Sequence, residues 1–157
     1  MPLNAFIKWP DGFHGAKFGM TIEGVKEIAG KEGGTYRNLI KEEDGTIACV
    51  FDGFLVQGER AAITYVFSSH GLRGIAVKFR HADYLKVREW LINKYGDPTG
   101  AQGDRIGLQH DAWVFGDVLV LTYDGRSGVV LSYTHMGLCD EEKKETASLK
   151  DANFSNL

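Results

Sequence analysis

Residues 48–56 read ACVFDGFLV and residues 112–120 read AWVFGDVLV, two windows that match at five of nine positions. The Asp-Gly turn pair of the first window is inverted to Gly-Asp in the second. Each window follows a helical segment that ends in glycine, at a similar distance along the chain. Chance similarity between two apolar hairpins is one explanation, and duplication of a helix-plus-meander unit is the other. The shared order of elements favours duplication.

Duplication in turn predicts the fold class. Each unit would be one helix followed by three or four antiparallel strands, with repeat one near residues 15–80 and repeat two near 81–135. Two such units give an α+β, two-layer sandwich, with both helices on one face of a long antiparallel sheet. Residues 1–139 are predicted to form this single domain. The polar residues 140–157 are predicted to be a C-terminal tail, either a loose helix or disordered.

Two helices are marked by their ends. The first is expected to begin after Thr21, a suitable N-cap, and to stop at Gly30, a natural C′ residue. The second is expected over residues 82–95 and ends at Gly96, which Pro98 follows. Its apolar stripe consists of Tyr84, Val87, Leu91 and Tyr95.

Strands are predicted between the glycine-rich turns. Asp52-Gly53 is expected to close one strand, and Gly116-Asp117 to be a two-residue hairpin turn. Residues 99–104 are predicted to be a polar loop. The predicted strands lie at residues 36–40, 46–51, 54–57, 61–67, 74–80, 112–115, 118–123 and 129–135.

A family resemblance starts at residues 19–25, which read GMTIEGV and precede a helix ending in glycine and then a meander. This order resembles the repeat of the β-lactamase-inhibitor-protein fold. It is also similar to the small outer-membrane lipoproteins of the BamE type, over about residues 15–135. The chain departs from both families, since it shows neither a lipoprotein cysteine at the start nor a clear disulfide in each repeat. The resemblance implies a binding module rather than an enzyme.

Alternation along the strands predicts which side chains share a face of the sheet. Pairing across the Gly116-Asp117 turn groups Trp113 and Phe115 on one face. The opposite face is more uniformly apolar, because it is expected to gain Val129, Leu131 and Tyr133 from the last strand, so it is assigned to the helices. The first face is then the open one, with a binding site made of Phe51, Phe54, Lys78, Arg80, Trp113 and Phe115.

Charge and composition narrow the function classes. Lys and Arg number 18 against 21 Asp and Glu, a net charge of −3, so the basic surplus typical of nucleic-acid binders is missing. No apolar run reaches the ~20 residues of a membrane helix. No signal peptide is visible at the start. The expected compartment is the cytoplasm if Met1 is the native start, and the periplasm or exterior if a signal was removed.

No residue pattern predicts catalysis, a metal site or a cofactor. The five histidines lack metal-ligand spacing, and residues 24–31 have the wrong spacing for a phosphate loop. Cys49 lies in an apolar strand, where cysteine is more often a packing residue than a nucleophile. Cys49 and Cys139 allow one disulfide but are expected to be free.

The leading hypothesis is a non-catalytic module that binds a protein or peptide partner through its open sheet face. Aromatic side chains would anchor the partner, and Lys78 and Arg80 would add polar contacts. One alternative is a small-molecule-binding or enzymatic domain with a cleft under the N-terminal arm. Another is a homodimer or larger oligomer that pairs its open sheets. The N-terminal arm is itself expected to pack onto the core.

Overall fold

The computed structural model describes residues 9–103, 109–125 and 127–140. In chain order the elements are β1 (Gly12–Phe13), β2 (Ala16–Lys17), α1 (Ile22–Lys31), β3 (Thr35–Lys41), β4 (Ile47–Val56), β5 (Glu59–Ser68), β6 (Gly71–Phe79), α2 (Tyr84–Tyr95), β7 (Gly100–Gly103), β8 (Gln109–Phe115), β9 (Val118–Gly125) and β10 (Gly128–His135). A helical turn at residues 136–140 follows β10. Apart from Asp140, the predicted tail lies outside the described residues.

Eight of the strands form one antiparallel sheet in the order β3-β4-β5-β6-β10-β9-β8-β7, while β1 and β2 pair separately. The centre of the sheet is the pairing of β6 with β10, where Leu131 lies opposite Val77 and Tyr133 opposite Ile75. The predicted mixed fold, mostly a large antiparallel sheet with few helices, is confirmed.

Helix α1 begins where the sequence predicts but ends later. The Thr21 side chain accepts a hydrogen bond from the amide of Gly24 at 3.1 Å and caps the first turn. The helix passes the predicted stop at Gly30 and continues to Lys31. The reason is that Gly33 takes the left-handed conformation beyond the helix, with φ of +93°.

Helix α2 has the predicted end and the predicted buried stripe. It starts after Asp83, whose carboxylate accepts from the amide of Leu85 at 3.0 Å, and it stops before Gly96. The stripe consists of Tyr84, Val87, Leu91 and Tyr95, all buried. The hydroxyls of Tyr95 and Tyr133 are hydrogen-bonded at 2.9 Å, so this stripe packs directly on β10.

The Asp52-Gly53 pair is a β-bulge and not the predicted turn. Strand β4 runs through it, and the register against β5 shifts at this point. The chain reverses instead at residues 57–58. Of the two similar windows, residues 48–56 therefore lie on one strand, whereas residues 112–120 span β8, a turn and β9.

The predicted polar loop contains a strand. Residues 100–103 form β7, which pairs with β8 from Gly100 opposite Ala112 to Gly103 opposite Gln109. Glycine and alanine have low strand propensity, so the alternation pattern gave no signal here. Pairing with the backbone of β8 makes this segment a strand.

The face predicted to be open is the buried face of the sheet. In the β9–β10 pair, Leu131 lies opposite Thr122. In the same pair, Tyr133 lies opposite Val120. Leu131 and Tyr133 therefore lie on the same face as Trp113. The prediction that they lie on the opposite face is wrong. A change of one residue in register moves every side chain of a strand to the other face.

Aromatic side chains dominate this buried face because they remove the largest apolar areas from water. Its fully buried members include Trp113, Tyr65, Tyr133, Phe54, Phe67 and Phe79. The N-terminal arm packs on this same face, as expected for an arm that joins the core. The ring of Phe13 stacks on Tyr133, and that of His14 contacts Phe54 edge-on, with centroids 5.1 and 5.9 Å apart.

This assignment of faces predicts opposite behaviour for two neighbours on β8. Trp113→Ala should lower the free energy of unfolding by about 3–5 kcal/mol. The indole is 1% exposed, and its Nε1 donates to the carbonyl of Gly96 at 2.9 Å. Val114, the next residue, is 48% exposed, and Val114→Ala should change stability by less than about 0.5 kcal/mol. Urea unfolding followed by circular dichroism measures both, and equal effects would contradict this orientation of β8.

Candidate functional site

The structure separates the six predicted binding residues into two groups. Four lie on the buried face: Phe51, Phe54 and Trp113, which are buried and cannot contact a partner while the core is packed, and Phe115, which is half-buried. Their placement on an open face is therefore wrong. Lys78 and Arg80 are exposed and alternate with the buried Val77 and Phe79, so they lie on the opposite side of the sheet from the aromatic residues.

That opposite side is the open face, which we define by two rows across the sheet. One row consists of Val50, Thr64, Ala76, Ser132, Leu121 and Ala112, and the other of Ala48, Val66, Gly74, Thr134, Leu119 and Val114. Most of these side chains are half-buried, whereas their chain neighbours on the buried face are fully buried. Apart from Leu119 and Leu121, these side chains are small or branched at Cβ, so the open face is smooth and mainly apolar.

Two irregular backbone positions meet at one end of the open face. On β3 the register against β4 shifts between Tyr36 and Asn38, so Arg37 has no paired residue. On β4 the bulge at Asp52-Gly53 interrupts the pairing with β5. Bulges redirect side chains out of the regular alternation. They bring a guanidinium from β3 and a carboxylate from β4 together.

A cavity of about 440 Å³ lies at this end, lined by Arg37, Asp52, Gly53, Leu55, Arg60, Ala61 and Arg80. We call its four charged residues, Arg37, Asp52, Arg60 and Arg80, the arginine cradle. The β5–β6 register pairs Ala61 with Phe79, so Arg60 and Arg80, each one residue beyond, lie beside each other. Neighbouring like charges repel across a strand pair, which makes this position electrostatically unfavourable unless an anion is near.

Asp52 is the carboxylate at the centre of the cradle. Its Oδ2 lies 3.6 Å from Arg37 Nη2 and 3.8 Å from Arg80 Nη2, while Oδ1 accepts from the Gly53 amide at 2.8 Å. Charge-assisted hydrogen bonds are about 2.7–2.9 Å long. Both arginines are thus attracted to one oxygen without forming a close bond to it.

The end of the open face is strongly positive for a chain of net charge −3. Lys78, opposite Ala62 and Val130, adds a fourth cation beside the three arginines. Within the part of the chain that the structure describes, Arg60 forms no ion pair. Among the described residues one carboxylate lines the cavity together with three guanidiniums, and the exposed side chains of Arg37 and Arg80 keep their donors accessible.

Sequence reasoning found Arg80 but missed Arg37, Asp52 and Arg60. Arg37 and Arg60 flank apolar strand residues and resemble ordinary exposed positions, and Asp52-Gly53 resembles a turn signal. The available signal was the length of the apolar segment, because a bulge at Asp52-Gly53 allows one strand of ten residues in place of the two short strands predicted. Convergence of the three arginines depends on strand pairing, which spacing alone does not supply.

A second cavity, of about 280 Å³, lies beneath the N-terminal arm and is lined by residues 9–17 with Lys94 and Tyr95. The Lys94 ammonium lies 5.3–5.7 Å from the ring centroids of Phe13, Trp90 and Tyr95. Burial lowers the pKa of this ammonium. The cation is therefore held by the aromatic rings of the chain itself.

A buried polar network joins α2 to β8. Asp111 is 3% exposed, and its Oδ2 accepts from the Tyr84 hydroxyl and from Arg88 Nε, the latter at 2.9 Å. Burial, and then the hydrogen bond to Asp111, raise the pKa of the Tyr84 hydroxyl. The three groups satisfy one another, which is the arrangement of a structural network.

The cysteines and histidines form no reactive cluster in the described ranges. Cys49 and Cys139 are both free, and burial raises the pKa of the Cys49 thiol. No three His, Cys, Asp or Glu side chains among the described residues converge as metal ligands. None of the described helices has the length and apolar character to cross a membrane.

The chain matches no protein-family model, no curated protein sequence and no solved structure. The resemblance based on residues 19–25 therefore stays a prediction. The open face and its arginine cradle are the features that carry a functional interpretation.

Two arginines should differ in what they contribute to stability. Arg60→Gln should change the free energy of unfolding by less than about 0.5 kcal/mol, because this guanidinium is exposed and forms no ion pair with the residues that the structure describes. Arg88→Gln should cost about 1–3 kcal/mol, because it removes a donor from the buried Asp111. Thermal and urea unfolding of both variants measure the difference. A large loss for Arg60→Gln would show that the cradle is structural.

Proposed function

We propose that this chain is a non-catalytic binding module that docks an acidic protein or peptide segment on its open sheet face. The observation that carries the proposal is the continuity of two surfaces, the smooth apolar sheet and the cationic end formed by Lys78 and the arginine cradle. A partner with apolar residues next to carboxylates would satisfy both at once.

The apolar part supports a macromolecular partner. The rows of the open face cross six strands at about 4.8 Å spacing and extend over roughly 25 Å, a width suited to a protein surface rather than to a small molecule. Small-molecule sites are concave and enclose most of their ligand. Exposed apolar residues on this face include Val114 and Leu55, 48% and 64% exposed.

The charge pattern supports an acidic partner. The chain as a whole is acidic, with a net charge of −3, whereas the cavity at this end of the open face is lined by three arginines and one carboxylate. A local cationic patch on an otherwise acidic protein orients an approaching acidic segment and repels a basic one. Lys78 and Arg80 keep the polar-contact role predicted from the sequence, and Arg37 and Arg60 join them.

We infer further that the architecture is a tandem duplication with both helices on the buried face. The strand order supports this, because the four strands after α1 and the four after α2 run inward from opposite edges and meet at β6 and β10. Contacts support it too: Tyr36 packs against Phe51 and under the Lys26 ammonium of α1. The proposed arrangement is in keeping with the resemblance to the β-lactamase-inhibitor-protein and BamE-type repeats.

A second candidate is small-molecule binding in the cavity beneath the N-terminal arm. The observation behind this candidate is a cavity of about 280 Å³, close to the ~300 Å³ lower end of small-molecule sites. Its cation is already engaged by three rings, whereas the guanidiniums of the cradle are accessible, so the open face is preferred.

Two leucines of equal exposure test the proposal. Leu55 on the open face is 64% exposed and Leu85 on α2 is 63% exposed. Leu55→Ser and the central Leu121→Ser should each weaken capture of the partner about tenfold, the loss expected for an apolar side chain that is buried on binding. Leu85→Ser should capture it as the wild type does. The measurement is affinity capture from the source cell's extract, with the partner identified by mass spectrometry and its affinity measured with purified proteins.

Three results would contradict this proposal. The first is that Leu121→Ser captures the partner as well as the wild type does. The second is that Leu85→Ser loses as much binding as the open-face variants. The third is that the captured partner has no acidic segment. Sedimentation velocity on the purified chain provides the remaining control. A dimer that dissociates in Leu121→Ser would instead support the self-associating alternative.

A further inference from the structure

The geometry of the arginine cradle is more specific than that of a diffuse positive charge. Its three guanidiniums come from three strands or their ends, and all line one cavity of about 440 Å³. Guanidinium groups present paired N–H donors that match the two oxygens of a carboxylate. A convergent set of three is therefore suited to a defined oxyanion.

Asp52 shows how a carboxylate sits among these arginines. Arg37 and Arg80 both approach its Oδ2, at 3.6 and 3.8 Å, although Arg37 lies on β3 and Arg80 directly follows β6. The distances exceed those of charge-assisted hydrogen bonds, so the donors are not used up. Asp52 reduces the repulsion between the guanidiniums and leaves them able to bind a second anion.

The surroundings of the cradle indicate which oxyanion it would take. Leu55 lines the same cavity and is 64% exposed. Lys78 lies two residues before Arg80, on the same face of the sheet. A carboxylate carried on a chain with apolar neighbours would contact the cradle and Leu55 together, whereas a free inorganic ion would use only the arginines.

We propose that the three guanidiniums of the arginine cradle form a carboxylate-binding subsite for an Asp or Glu side chain of the docked segment, with Asp52 of the cradle as an internal competitor that moderates affinity. The inference rests on the proposed function, since it specifies the partner residue that reaches this end of the open face. It also predicts that changing a charge in the cradle affects binding more than an equal change of charge elsewhere on the chain, which a diffuse charge would not produce.

The test uses the purified full chain and a fluorescein-labelled hexaglutamate peptide, with binding followed by fluorescence anisotropy at about 0.1 M ionic strength. Arg60→Gln and Arg80→Gln should each weaken binding about fivefold, because each removes one charge-assisted fork from the peptide carboxylates. Asp52→Asn should tighten binding about fivefold. It removes the competing charge, and its side-chain oxygen can still accept from the Gly53 amide.

Matched changes in charge away from the cradle are the control. Lys31→Gln alters the exposed end of α1, and Glu89→Gln alters an exposed position on α2. Each should change hexaglutamate affinity by less than about twofold, because exposed charges beyond the Debye length of about 10 Å are screened. If these controls match Arg60→Gln and Asp52→Asn in size, net charge explains the binding and the subsite is refuted.

Competition separates the two sources of an oxyanion. Inorganic phosphate should displace the peptide only weakly, since it lacks the methylene groups through which a glutamate side chain can contact Leu55 while its carboxylate binds the arginines. Phosphate that binds the cradle while hexaglutamate does not would overturn the assignment to an acidic segment. The subsite alone would be refuted if Leu121→Ser weakens binding of the captured partner while Arg60→Gln and Asp52→Asn leave hexaglutamate affinity unchanged. Hexaglutamate binding that depends on the cradle, with no effect of Leu121→Ser on the partner, would refute the proposed function of the face alone.

Discussion

The pairing of β6 with β10 is the constraint on which the rest of the molecule depends. It joins strands that are far apart in sequence, with Leu131 opposite Val77 and Tyr133 opposite Ile75. The side chains of one face then form a continuous buried layer across the sheet. With this register the aromatic residues of both halves pack into one core, and the smaller side chains are left on the other face. A shift of one residue would exchange the two sets and expose the largest apolar groups.

Local chemistry made much of the fold predictable. Thr21 and Gly96 mark helix ends through capping groups that act within a few residues, and the stripe of α2 follows from helical spacing. The large antiparallel sheet follows from alternating apolar segments between turns. These features depend on neighbours in sequence, which is why pattern alone identifies them.

The choice of faces was not predictable in the same way. Within each strand the alternation was correct, since Trp113 and Phe115 do share a face. The choice between faces depended on how the last strand pairs across the turn after Gly125, and one residue of register decides it. The volume of Trp and Phe side chains was the better guide, because aromatic groups gain most from burial. The arginine cradle was hidden for a related reason: Asp52-Gly53 has the composition of a turn and the geometry of a bulge.

The unpaired position of Arg37 also affects how the sheet ends. Strand β3 is one outer strand of the sheet and β7, of four residues, is the other. An outer strand offers unused backbone donors and acceptors that can template a strand from another molecule. Irregular registers, charged side chains and short length all interfere with such addition. The irregularity that helps to form the cradle therefore also protects β3 against edge-to-edge aggregation, so the chain can expose a broad apolar sheet while its borders resist extension.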